Sequence, residues 1–150
     1  MKWIILAGSS DTRKTWTLTE LAISLVRTHG ARLIAPMSLP VPFPAVPPSI
    51  WPFYADDTYE LQYRGKKVVI TTDGDSAKIV DDGFEEAKRR NADVFISASR
   101  ARSKSGHLGV IDAKVTSGGA EVFIIAALDN GAVAMPAIVS WRIQQIIDMI

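Results

Sequence analysis

A chain of 150 residues with 47% hydrophobic content suits one globular domain spanning 1–150 with a buried core, and leaves little room for a second. Seventeen Lys and Arg against sixteen Asp and Glu give a net charge of +1, so the overall balance calls for neither nucleic acid nor an anionic membrane, and any preference for anions must be local. Cysteine is absent, which excludes disulfides and thiolate metal sites and fits a reducing, cytoplasmic compartment.

The first element is an apolar run, Trp3-Ile4-Ile5-Leu6-Ala7, that reads as a buried strand. It stops too soon for the hydrophobic core of a signal peptide, and no run in the chain approaches the ~20 apolar residues needed to span a bilayer, so a soluble protein is expected. The run ends in Gly8-Ser9-Ser10-Asp11-Thr12-Arg13-Lys14-Thr15. Immediately afterwards Leu18, Leu21, Ala22, Leu25 and Val26 recur at three- and four-residue spacing, giving one apolar face to a helix that Gly30 can end. Ala31 to Ala35 is a short second strand before Pro36.

Regular structure then fails, because seven of the eight prolines lie between Pro36 and Pro52 and remove N–H donors while fixing φ. This predicts an irregular insertion over 36–58. It carries Phe43, Ile50, Trp51, Phe53 and Tyr54, too apolar for a solvated linker. The segment from Pro36 to Tyr54 is either a flap folded over the protein's own core, or a substrate lid or protein-binding surface.

Tyr59 to Tyr63, Arg64-Gly65 and Lys66 to Thr72 spell a hairpin whose second arm is the more buried. Asp75 reads as the N-cap of a helix through Arg90, with Ile79, Val80, Phe84 and Ala87 facing inward. Ala92 to Ser99 and Glu121 to Leu128 are two further buried strands. A turn at Asp129-Asn130-Gly131 leads to a closing helix whose inward face holds Val139, Ile143, Ile146, Ile147 and Ile150. Strands alternating with helices predict an α/β domain with a mainly parallel sheet flanked by helices on both faces. In such sheets the ligand lies beyond the carboxyl ends of the strands.

The loop after the first strand fits a known pattern: Gly, four residues, then Gly-Lys-Ser/Thr, set between a strand and a helix. Gly8, Lys14 and Thr15 match, and Arg13 stands where the second Gly belongs. On these residues the chain resembles the P-loop NTPase superfamily, over eight motif residues and a strand-loop-helix context reaching about residue 29. The resemblance implies that Gly8 turns the chain away from the strand, and that N–H groups along Ser9, Ser10, Asp11, Thr12 and Arg13 cradle the phosphates of ATP or GTP at the positive end of the helix. Lys14 would add charge at the outer phosphates and the Thr15 hydroxyl would ligate Mg2+. Arg13 either crowds the approach to phosphate or supplies another cationic contact.

Two further polar segments follow predicted central strands. Thr71-Thr72-Asp73-Gly74-Asp75 resembles the superfamily's second motif, an apolar strand ending in an acid that holds Mg2+; Asp73 is the first choice, and Asp75 the second because it also reads as a cap. Taken alone, the same segment is a capped turn. Ser97 to His107 carries Arg100, Arg102 and Lys104, so Arg100 or Arg102 would bind the phosphate of a small acceptor or neutralise charge developing in phosphoryl transfer, unless the loop is simply a solvated basic one. His29 and His107 have no metal-ligand or catalytic spacing, and no nucleophile-base pair or general base is evident.

The sequence therefore predicts a nucleotide-binding protein that carries out Mg-dependent phosphoryl transfer to water or a small acceptor. The alternative is a non-catalytic protein with a degenerate loop that meets a protein partner through Pro36 to Tyr54. A dinucleotide-binding domain ranks last, because Gly-x-Gly-x-x-Gly is missing.

Overall fold

The long apolar runs become strands buried on both faces. The computed structural model describes residues 1–9, 13–40, 56–100, 106–127 and 135–150. Its elements in order are β1 (Lys2–Gly8), α1 (Lys14–Arg27), β2 (Arg32–Ala35), β3 (Thr58–Tyr63), β4 (Lys66–Thr71), α2 (Ala77–Arg89), β5 (Val94–Ser99), α3 (His107–Thr116), β6 (Glu121–Ala127) and α4 (Met135–Met149). They form a single α/β domain around one six-stranded mixed sheet of order β2-β3-β4-β5-β1-β6.

The sheet is parallel from β4 through β5 and β1 to β6, and antiparallel where β2 and β3 extend it. Trp3 to Leu6, Val68 to Ile70 and Val94 to Ser99 are all buried, as expected of parallel strands covered on both sides. β3 instead alternates half-buried and buried residues, the period-2 pattern of a strand with one solvated face. The hairpin turn is Arg64-Gly65, both at positive φ (50° and 76°), as a two-residue turn matched to strand twist requires.

One face of the sheet is covered by α1 and α4, with Leu18, Leu21, Leu25, Ile146 and Ile147 packed on Ile4, Leu6, Ile70 and Ile96. The other is covered by α2 and α3, which bring Val80, Phe84 and Ile111 onto Trp3, Ile5, Val69 and Phe95. Trp3, Phe84 and Phe95 form a triangle with ring centroids 4.8, 5.7 and 6.3 Å apart, each pair worth about 1 kcal/mol beyond its buried area. The indole N–H of Trp3 donates to Ser97 Oγ at 2.9 Å, so this buried polar pair is satisfied.

Three expectations need correction. The strand expected to be buried over Glu121 to Leu128 is β6, at the edge of the sheet, where only Ile125 and Ala127 are buried and Ile124 is 55% exposed. The cap of α2 is Ser76, not Asp75: Ser76 is extended (φ −132°, ψ 155°) and its hydroxyl accepts from the Ile79 N–H at 3.2 Å. His107, read as the end of the basic loop from Ser97, instead opens α3, an unforeseen helix, and is buried. The stretch 41–55, most of the Pro-rich insertion, lies outside the described residues, as does the turn at 129–131.

Candidate functional site

Because β4, β5, β1 and β6 run parallel, their carboxyl ends share one edge of the sheet. Register sets the levels: Ala7 pairs with Ser99, Gly8 with Ala127, and Thr71 with Ser97. Gly8, Asp73 and Arg100 therefore all emerge at this edge. Ser10, Asp11, Thr12 and Arg102 lie outside the described residues.

Arg13 is the N-cap of α1 and adopts the left-handed conformation, φ 57° and ψ 36°, with no side-chain cap bond. Only glycine reaches this region without strain; a residue with a Cβ is disfavoured there by about 1 kcal/mol. The position where the motif has Gly thus keeps a backbone suited to Gly. Arg13 and Lys14 also place two cations at the positive end of the helix dipole, with no acid in the first turn. Lys14 is nonetheless buried, at 6% exposure, and its ammonium donates to the carbonyls of Gly8 (3.1 Å) and Ser9. The side chain folds back over the turn it follows.

Thr15 points elsewhere. α1 packs across β1, β5 and β4, which carries its first turn toward the end of β4. There the Thr15 hydroxyl lies 3.3 Å from both Asp56 Oδ1 and the Thr72 carbonyl. The stretch before β3 is fastened to the same strand end: Asp57 N–H donates to Thr72 Oγ1 (2.9 Å) and Thr72 N–H to the Asp57 carbonyl (3.0 Å). Partial burial pushes the Asp56 carboxyl above its usual range, the charge of Asp73 adds to this, the Thr15 hydroxyl opposes it, and Asp75 adds a smaller push. Asp56 escapes sequence reading because strand order alone brings it to Thr15.

The turn after β4 is braced against β5. A Cβ built on Gly74 would lie 2.3 Å from the Ala98 carbonyl oxygen, so only glycine fits. His107, 1% exposed, has Nε2 3.0 Å from the Gly74 carbonyl oxygen, and this nitrogen must carry the proton to bond there. The Asp75 N–H donates to Asp73 Oδ1 at 3.1 Å. The Asp75 carboxylate, the second choice for a metal ligand, pairs with Arg100: Oδ1 accepts from Nη2 at 3.1 Å and from Nε at 3.3 Å.

Beyond Asp73, between the hairpin and α2, opens a groove of about 680 Å3. Asp56, Asp57, Asp73, Asp82, Glu85 and Glu86 line it against Arg89, so a phosphorylated compound is poorly matched to it. The edge thus has a cationic pole at Arg13 and Lys14 and an acidic one beyond Asp73.

No family model, curated protein or solved structure matches the chain.

Among the described residues no group of three or more His, Cys, Asp or Glu side chains converges as a metal cage. Mg2+ does not require one, since it takes one or two carboxylates beside phosphate oxygens and retained waters. Thr15, Asp56 and Asp73 supply the oxygen donors such an ion accepts. No described helix is long and apolar enough to cross a membrane.

Proposed function

We infer that the protein binds a nucleoside triphosphate, ATP or GTP, over Gly8 to Thr15 and carries out Mg-dependent phosphoryl transfer to water or a small acceptor. The observation that carries this reading is Lys14: a buried ammonium folded onto the Gly8 and Ser9 carbonyls, directly beyond a central parallel strand and at the start of a helix. Burying a cation costs free energy unless it is paired, and a loop that holds one in place is suited to an anion. The two cations at the amino end of α1, unfavourable against the dipole alone, support the same ligand.

In this reading the Thr15 hydroxyl and Asp73 hold Mg2+, which when bound offsets the negative charge of the phosphates. Arg100, level with Gly8 on the neighbouring strand, meets the transferred group or the acceptor. Calorimetric titration with ATP and Mg2+ tests it. Lys14→Ala should weaken binding by about tenfold or more, with the fold checked by circular dichroism. An unchanged affinity would sink the assignment.

A second reading retains the nucleotide and drops turnover, with the segment from Pro36 to Tyr54 meeting a protein partner. It is favoured by Arg13 in place of Gly and by β5, which leaves the sheet beside β1 through Ser97-Ala98-Ser99-Arg100 with no carboxylate. Binding of ATP without release of phosphate in the presence of Mg2+ would select it.

A further inference from the structure

We propose that Asp75 and a bound phosphate group compete for the guanidinium of Arg100, so that Asp75 regulates how tightly the site takes its ligand. This rests on the nucleotide reading and gives Asp75 a role other than metal binding.

The position of Arg100 follows from register. Ser99 pairs with Ala7, so Arg100 leaves β5 level with Gly8, on an adjacent strand about 4.8 Å away. Its guanidinium is turned toward β4, where Nε and Nη2 both reach the single oxygen Oδ1 of Asp75. That is a poorer match than the two parallel bonds a phosphate offers a guanidinium. Both partners are also open to solvent, with side chains 38% and 68% exposed, a setting in which ion pairs are weak. Arg100 can therefore exchange partners at little cost.

Asp75 cannot follow it. Gly74 is packed on the Ala98 backbone, its carbonyl is held by His107, and the Asp75 N–H is bonded to Asp73. The carboxylate is not engaged in capping α2 either, since Ser76 does that. An acid on a braced backbone, facing an exposed cation, favours ligands with enough negative charge to outbid it. A polyphosphate does so more readily than a singly charged anion.

Titration of ATP with Mg2+ into the wild-type protein, Asp75→Asn, Arg100→Ala and the double variant tests this. Asp75→Asn should tighten binding about threefold to fivefold, Arg100→Ala should weaken it about tenfold, and Asp75→Asn should change affinity less than about 1.5-fold once Arg100 is absent. Equal tightening in both backgrounds would mean that Asp75 acts through its charge alone, and the competition is then wrong while the nucleotide reading stands. Loss of no affinity in Arg100→Ala, or no tightening in Asp75→Asn, overturns the competition in the same way. No binding by either the wild-type protein or Asp75→Asn overturns both.

Discussion

The turn that leaves β1 carries a left-handed arginine and two cations against the positive end of α1, whereas the turn that leaves β4 is fastened by Ala98 and His107. Both lie at the same edge of one sheet. At Gly74 the carbonyl is met by His107 and the backbone packs directly on Ala98. At Arg13 the left-handed backbone has no side-chain cap bond and no acid stands in the first turn of α1, so a negative partner would relieve the charge. The contrast separates a turn that holds its neighbours in place from one shaped to receive something.

Three substitutions test this contrast, beginning with the largest effect. Gly74→Ala would drive a Cβ into the Ala98 backbone and should destabilise the domain by about 3 kcal/mol, read as a lower midpoint in chemical denaturation. Full tolerance would mean that the β4 turn is not braced. His107→Ala leaves the Gly74 carbonyl without its buried partner and should cost about 2 kcal/mol. Hydrogen exchange should then quicken around Gly74 to Ser76 and stay unchanged at the β1 end. Arg13→Gly should act in the opposite direction and raise stability by about 1 kcal/mol at most, because glycine occupies the left-handed region freely while loosening the unfolded chain. Destabilisation by this change would show that the Arg13 side chain holds the β1 turn together, and would erase the contrast.

Much of the scaffold was legible because its signals are local. The apolar run at Trp3 to Ala7, the Arg64-Gly65 turn and the inward face Val139, Ile143, Ile146 and Ile147 each carry their period or turn chemistry in adjacent residues. α3 was not legible, since Gly106 opens it at φ 75° with no side-chain cap, and only Ile111 among its apolar residues is buried while Leu108 and Val115 are exposed. Leu108, Ile111 and Val115 do recur at three- and four-residue spacing, but the run is short and no capping side chain announces it. Asp75 and Ser76 are both cap residues by type, and the cap is Ser76, whose extended backbone lets its hydroxyl reach the Ile79 N–H. At the site, Gly8, Lys14, Thr15 and Asp73 were marked by a contiguous motif or a strand end. Asp56 and His107 were not, because each gains its position from strand order: Asp56 from α1 crossing to β4, and His107 from β5 lying beside β4.

The place of β1 in the sheet has a consequence for how the chain reaches its fold. Its two neighbours, Val94–Ser99 and Glu121–Ala127, lie far along the sequence, so the earliest strand to leave the ribosome is among the last to be paired. Until residue 99 has emerged Trp3, Ile4, Ile5 and Leu6 have neither sheet neighbour, and until residue 127 has emerged one edge of β1 stays unpaired. The loop after Gly8 therefore takes its place at the sheet edge only once residues far along the chain have paired with β1.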